Sequence, residues 1–141
     1  MKAGVARSPE AARLETFALA SNGRPRILVV EDEMLVSMLI EDMLGDLGYD
    51  VIGPAISVTE AMSAIEKTTE IHAGLLDLEL KGERSLTIAD ALAEKQVPFA
   101  FMSAHGAQAV AETRHAGAPV LAKPFTMTAF AMLIKRLVLR A

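Results

Sequence analysis

The chain has 141 residues, 52% hydrophobic and 23% charged, a length typical of one compact domain with ample apolar material for a core. Its 14 Lys and Arg against 18 Asp and Glu give a formal charge of −4 at pH 7, which works against binding nucleic acid by phosphate neutralisation. With no cysteine, a disulfide framework, a thiolate metal site and a thiol nucleophile are excluded, and a reducing compartment is suited.

Residues 1–24 are rich in Ala, Arg and Ser and run into Ser21, Asn22, Gly23, Arg24 and Pro25, a cluster that reads as a loop. They form an N-terminal extension, flexible or with a short helix through Leu14 to Leu19 capped by Ser8 and Pro9. Phe17 to Ala20 is too short for a signal-peptide core, which takes roughly 7 to 15 apolar residues. Runs such as Ile27–Val30 and Phe99–Met102 fall well short of the about 20 residues that span a bilayer. The expectation is a soluble, cytoplasmic protein with neither membrane nor nucleic acid as partner.

From residue 25 to 141 short apolar runs alternate with amphipathic stretches. Ile27–Val30 has strand length, and Met34, Leu35, Met38, Leu39, Met43, Leu44 and Leu47 recur at helical spacing before Gly48 closes the segment. The alternation repeats as Val51–Ile56 with Val58–Lys67, Ala73–Asp77 with Leu86–Lys95, Phe99–Ser103 with Ala107–Ala116, and Val120–Lys123 with Met127–Leu139. Five strands and five helices are predicted. Strands that are apolar throughout are buried on both faces, with the helices as crossovers between parallel strands. Pro54 lacks the N–H an interior strand needs, so the second strand belongs at an edge. The fold class is therefore α/β, a flavodoxin-like doubly wound (βα)5 with parallel sheet order 2-1-3-4-5.

Open parallel sheets bind ligands at the carboxyl ends of their strands. Here those ends carry Glu31, Asp32, Asp77, Ser103 and Lys123, and the order 2-1-3-4-5 lines them along one edge. Two like charges about 4 Å apart repel by on the order of 4 kcal/mol at an effective dielectric of about 20. Three carboxylates against one ammonium therefore invite a hard divalent cation, Mg²⁺ being usual where carboxylates share coordination with phosphoryl oxygens. Ion, hydroxyl and ammonium would stabilise an incoming phosphoryl group while one carboxylate attacks it.

With these residues in place, the sequence resembles the receiver domain of two-component response regulators over residues 26–140. The motifs are Val-Val-Glu-Asp-Glu at 29–33, Leu-Leu-Asp-Leu at 75–78, Phe-Met-Ser-Ala at 101–104 and Ala-Lys-Pro-Phe at 122–125. The resemblance implies that Asp77 accepts a phosphoryl group from a phosphohistidine on a sensor histidine kinase or a histidine phosphotransfer protein. It implies that Asp32 and Asp77 bind Mg²⁺ directly, that the main-chain carbonyl of Glu79 adds a ligand, and that Glu31 acts through metal-bound water. Ser103 and Lys123 would each engage a phosphoryl oxygen, with a cis Lys123–Pro124 bond aiming the lysine. Such a protein is not an enzyme beyond its own phosphorylation and dephosphorylation. With the chain ending soon after its last helix, output would pass through contacts with a downstream protein, as in a stand-alone receiver. The alternative is a receiver-like module that binds partners without phosphorylation.

Two departures stand out. Receivers often place Pro shortly after the acceptor, where this chain has Leu78, Glu79, Leu80, Lys81, Gly82, Glu83, Arg84 and Ser85, so the loop should differ locally. The switch aromatic three residues before the lysine is replaced by Val120. Gly82–Ser85 with Val97–Phe101 looks like a subgroup of single-domain receivers from alphaproteobacteria that also lack the aromatic, although Met102, Ser103 and Ala104 stand where that subgroup has Ala-Thr-Gly.

In the Ala-rich fourth helix Val110 is the only larger apolar anchor, which predicts mobility and a switch acting through Ser103 and the His105 loop. His105 and Glu79 would flank the phosphoryl group, while His72, His105 and His115 show no metal spacing. The methionines at 34, 38 and 43 read as core, and the last helix mainly so, with surplus apolar width for a partner. A dehalogenase-like phosphatase would carry its aspartate nucleophile after the first strand, and a dinucleotide enzyme would carry Gly-x-Gly-x-x-Gly there; neither pattern is present.

Overall fold

A computed structural model of the chain describes residues 23–140; the extension lies almost wholly outside them, as does the stretch Leu14–Leu19 where a short helix was expected. The strands are β1 (Arg26–Val30), β2 (Asp50–Ala55), β3 (Ala73–Asp77), β4 (Glu79–Leu80), β5 (Glu83–Arg84), β6 (Phe99–Ser103) and β7 (Val120–Ala122). The α-helices are α1 (Met34–Leu47), α2 (Val58–Lys67), α3 (Leu86–Glu94) and α4 (Met127–Arg140). Five strands form one parallel sheet in the order β2-β1-β3-β6-β7, while β4 and β5 form a small antiparallel hairpin. Counted without the hairpin, the order is the expected 2-1-3-4-5.

Both faces of the sheet are covered because successive strand residues point into opposite layers. Ile27 and Val29 pack with Ile40 and Leu44 of α1 and with Phe130 and Ile134 of α4. Leu28 and Val30 pack on the other side with Ile65 of α2 and with Ile88 and Leu92 of α3. Ile27, Leu28, Val29 and Val30 are all completely buried, which is why the run shows no polar alternation.

As expected, β2 is an edge strand, paired only with β1. Its register slips between Leu28↔Ile52 and Val30↔Ala55, so the β2 side holds one residue more than β1. The extra residue falls at Gly53, at φ +100°, where a Cβ would lie 2.7 Å from the Ala55 nitrogen and 3.0 Å from the Val29 oxygen. Only glycine fits there. The Gly53–Pro54 bond is cis.

α1 ends at Gly48, in the left-handed region at φ 97°. α2 starts at Ser57, whose Oγ accepts from the Glu60 N–H at 3.1 Å, while Glu60 Oε1 accepts from the Ile56 N–H at 3.0 Å. This reciprocal cap satisfies two donors that the helix cannot pair internally.

Two expectations are corrected. Residues 107–116 are not an α-helix: a 3-10 helix at Gly106–Val110 is followed by turns. Alanine favours helix, but a short helix persists only if it buries an apolar face, and here Val110 alone is fully buried. The Thr113 hydroxyl donates to the Val110 carbonyl at 2.8 Å and accepts from the His115 N–H at 3.1 Å, drawing the backbone into tight turns. Arg114 and His115 then swing to Asp90 of α3, at 2.6 and 2.7 Å. Hydrogen bonds from both hold the Asp90 carboxyl at about 2. The His115 ring also stands edge-on to Phe99, centroids 5.4 Å apart, so it anchors the segment instead of lying in solvent.

The second correction concerns α1. Met43 is core, but Met34 and Leu35 are 74% and 82% exposed, and Met38 and Leu39 are more than half exposed. A helix apolar over this width has more hydrophobic surface than one sheet face can cover. On α4, Phe130, Ile134 and Leu137 are buried while Met132 is exposed, in line with the surplus width expected.

Candidate functional site

Register brings the strand-end residues together. Val30 pairs with Leu76 across β1 and β3, Asp77 with Met102 across β3 and β6, and Ser103 with Ala122 across β6 and β7. Glu31, Asp77, Ser103 and Lys123 therefore leave adjacent strands with a step of at most one residue from each strand to the next. Two backbone bonds continue this edge, from the Glu31 N–H to the Ala55 carbonyl and from the Lys123 N–H to the Ser103 carbonyl, each 2.9 Å.

Glu31 is completely buried. Its Oε2 accepts from the Glu33 N–H at 3.1 Å and its Oε1 lies 3.2 Å from Lys123 Nζ. Lys123 Nζ is also 3.4 Å from Asp77 Oδ1, so one ammonium bridges two buried acids. The Lys123–Pro124 bond is cis, as the resemblance implied. Asp32 Oδ2 accepts from the Lys81 N–H at 2.9 Å, which fastens the β4–β5 hairpin over the site.

Burial and the neighbouring Glu31 push the Asp77 carboxyl up to about 7 against the opposing pull of Lys123. Burial disfavours the Lys123 ammonium, but Asp77 and Glu31 outweigh it and hold its pKa above the ordinary lysine range. The pocket is thus short of positive charge. Among the described residues, one group of three acids or histidines could hold a metal ion: carboxylate oxygens of Glu31, Asp32 and Asp77, all within 4.8 Å of one another.

The mouth is a cleft of about 520 Å³ lined by Asp32, Asp77, Glu79, Ser103, His105 and Lys123 among others. Ser103 Oγ accepts from the His105 N–H at 3.0 Å, leaving its own proton available to a ligand. The Glu79 side chain turns to Arg84, 3.6 Å away, so what it can offer the site is its main-chain carbonyl. His72 lies at the opposite sheet edge, where its Nδ1 accepts from the Arg26 N–H at 2.9 Å. Val120, in the position of the missing aromatic, is a half-buried residue of β7.

Sequence reasoning missed two features. One is the hairpin, whose only local signal is Lys81-Gly82, a two-residue turn with Gly82 at φ 72°. The other is the depth of Glu31, which is completely buried with its Oε1 3.2 Å from Lys123 Nζ, where the sequence placed it only along the shared strand edge.

Comparison with known proteins gives a consistent result. The family model of the response regulator receiver domain matches residues 27–135. The chain is 33% identical over 109 residues to the phyllosphere-induced regulator PhyR of Methylorubrum extorquens, covering 76% of this chain and 41% of that one. It is 29% identical over 109 residues to the transcriptional regulatory protein PdtaR of Mycobacterium tuberculosis, covering 73% and 51%. The chain therefore spans about half the length of these curated relatives, or less. Among solved structures, SdrG from Sphingomonas melonis Fr1 is 37% identical with a TM-score of 0.69, covering 82% of this chain and 97% of that one. The receiver domain of Erythrobacter litoralis PhyR is 28% identical with a TM-score of 0.74, covering 84% and 92%.

Proposed function

The chain belongs to the response regulator receiver domain family, and on that premise we propose that Asp77 accepts a phosphoryl group from a phosphohistidine on a sensor histidine kinase or histidine phosphotransfer protein. Residues 25–141 form the receiver and residues 1–24 an extension. The observation that carries this reading is the Asp77 carboxylate at the cleft floor, 3.4 Å from Lys123 Nζ and in reach of two further carboxylates.

An ionised Asp77 oxygen attacks phosphorus, the P–N bond of the phosphohistidine breaks, and the imidazole leaves with the bond's electron pair. Lys123 moves its ion pairing from the carboxylates to a phosphoryl oxygen, and Ser103 Oγ donates to another. Both groups stand at the cleft before the reaction, so each needs only a local change of partner to stabilise the charge on the phosphoryl group.

The donor set fits Mg²⁺. Hard carboxylate oxygens converge, and burial and the neighbouring Glu31 shift Asp77 towards protonation, which a cation would offset. Asp32, Asp77 and the main-chain carbonyl of Glu79 would hold the ion, with Glu31 behind them. When bound, it supplies charge that keeps Asp77 ionised and offsets the negative charge of the phosphoryl group.

A protein partner has a surface to meet. Met34, Leu35, Met38 and Leu39 are exposed on the first turns of α1, the helix that follows Asp32 and Glu33 at the cleft, and exposed apolar patches commonly mark interaction sites. We read output as passing through protein contacts. No helix among the described residues is long and apolar enough to cross a membrane.

The test is intact mass after incubation with Mg²⁺ and acetyl phosphate. Wild type gains one phosphoryl group and Asp77→Asn gains none. No gain in wild type, even from a phosphorylated histidine partner, would replace this reading with a module that docks without phosphorylation.

A further inference from the structure

One side chain joins the acceptor loop to the 3-10 segment. Arg84 of β5 donates from Nη2 to the Ala109 carbonyl at 2.8 Å, and its Nε lies 3.6 Å from Glu79 Oε2. Glu79 stands two residues beyond Asp77 and lines the same cleft. The hairpin carrying Glu79 and Arg84 is fastened at both ends: the Lys81 N–H is held by Asp32 Oδ2 at 2.9 Å, and the Ser85 N–H by the Leu78 carbonyl at 3.0 Å. A charge change at Asp77 therefore meets a short, tied-down element whose only link to 106–110 among the described hydrogen bonds is the guanidinium of Arg84.

Resting on the acceptor reading above, we infer that Arg84 is a positioning residue that couples the phosphorylation state of Asp77 to the segment 106–113. A planar guanidinium can hold two acceptors at once, which a lysine ammonium does less well. Of its partners here, Glu79 is charged and Ala109 offers a neutral carbonyl. Phosphorylation adds negative charge and strong acceptor oxygens on the Glu79 side. Charged acceptors hold a guanidinium more strongly than neutral ones, so the balance tips towards the cleft. Arg84 then leaves Ala109, and the 3-10 turn loses its tie to the acceptor loop while Val110 stays in the core. This route is separate from the hydrogen bond between Ser103 and His105, and it needs no aromatic at Val120.

The test is amide hydrogen exchange across 106–113 in wild type, Arg84→Met and Arg84→Lys, each with and without acetyl phosphate and Mg²⁺, with intact mass giving the phosphorylated fraction. In wild type, phosphorylation speeds exchange in this segment by about fivefold. In Arg84→Met exchange is already fast without phosphorylation and rises less than about twofold with it, because coupling, unlike a plain structural tie, depends on the state of the other site. Arg84→Lys falls between the two. An equal acceleration of both states in Arg84→Met would make Arg84 a structural tie only and overturn the inference, as would unchanged exchange. A wild type that gains no phosphoryl mass would overturn the acceptor reading, and the coupling with it. A wild type that gains the mass but shows no change at 106–113 would overturn the coupling alone.

Discussion

Asp77 is the residue where burial, charge and chemistry conflict most sharply. The residue is 5% exposed and its carboxyl lies beside the completely buried Glu31, so that in the absence of a divalent ion it keeps its proton up to about pH 7. In the unfolded chain the same group loses it near about pH 3.9. Between those values the folded state binds more protons than the unfolded state, and stability falls as pH rises through the window. We expect urea unfolding in EDTA to show this loss from about pH 4 to pH 7, and Asp77→Asn to abolish it. At pH 8 that variant should be more stable than wild type by about 1–3 kcal/mol, since it no longer carries a poorly compensated buried charge. An undiminished slope in Asp77→Asn would place the titrating group elsewhere.

At the scale of the elements, α1 and the 106–118 segment are where pattern and packing diverge. Helical spacing marked α1 correctly, but it could not show which of seven apolar side chains the sheet had room to cover. The leftover group at Leu35 and Leu39 contributes little to the core. Leu35→Ser with Leu39→Ser should change unfolding free energy by less than about 1 kcal/mol. Phosphoryl transfer from a phosphohistidine protein should slow by at least about tenfold, since truncating apolar anchors removes on the order of 1–2 kcal/mol of docking energy or more, while labelling by acetyl phosphate continues. Equal slowing with both donors would mean that the site itself had been disturbed. In 107–116 the alanine-rich composition pointed to an α-helix, and the prediction failed because propensity is a weak prior beside side-chain ties. The Thr113 hydroxyl takes the His115 N–H, which a regular helix would pair with a carbonyl four residues back, and Arg114 and His115 reach Asp90.

For the molecule as a whole, function depends on five strands ending at a common level. The β2 bulge takes part in that alignment: Ala55, just past Gly53, accepts the N–H of Glu31 at 2.9 Å and so helps to set where β1 stops. Gly53→Ala puts a Cβ 2.7 Å from the Ala55 nitrogen in a left-handed backbone conformation. It should cost about 2–4 kcal/mol in chemical denaturation, combining strain at the left-handed position with displaced backbone. Acetyl phosphate labelling should also slow as Glu31 shifts. A loss below about 1 kcal/mol would show that β2 can re-register without its glycine.

The sequence by itself determined the five strands of the sheet, four of the five predicted helices, the edge position of β2 and the five polar residues at the strand ends, and the sheet order followed from the fold class that these imply. Each of these is written in short-range pattern: unbroken apolar runs where both faces are buried, a proline where no N–H is needed, charges where a buried strand meets solvent. Only the tertiary structure decided that Glu31 is completely buried against Lys123, that the loop after Asp77 folds into a hairpin tied to Asp32, that Arg84 reaches Ala109, and that four of the seven residues of the α1 apolar stripe are left exposed. Those outcomes depend on which surfaces meet once the elements pack. Partners 25 to 92 positions apart are chosen by that packing and not by any spacing along the chain.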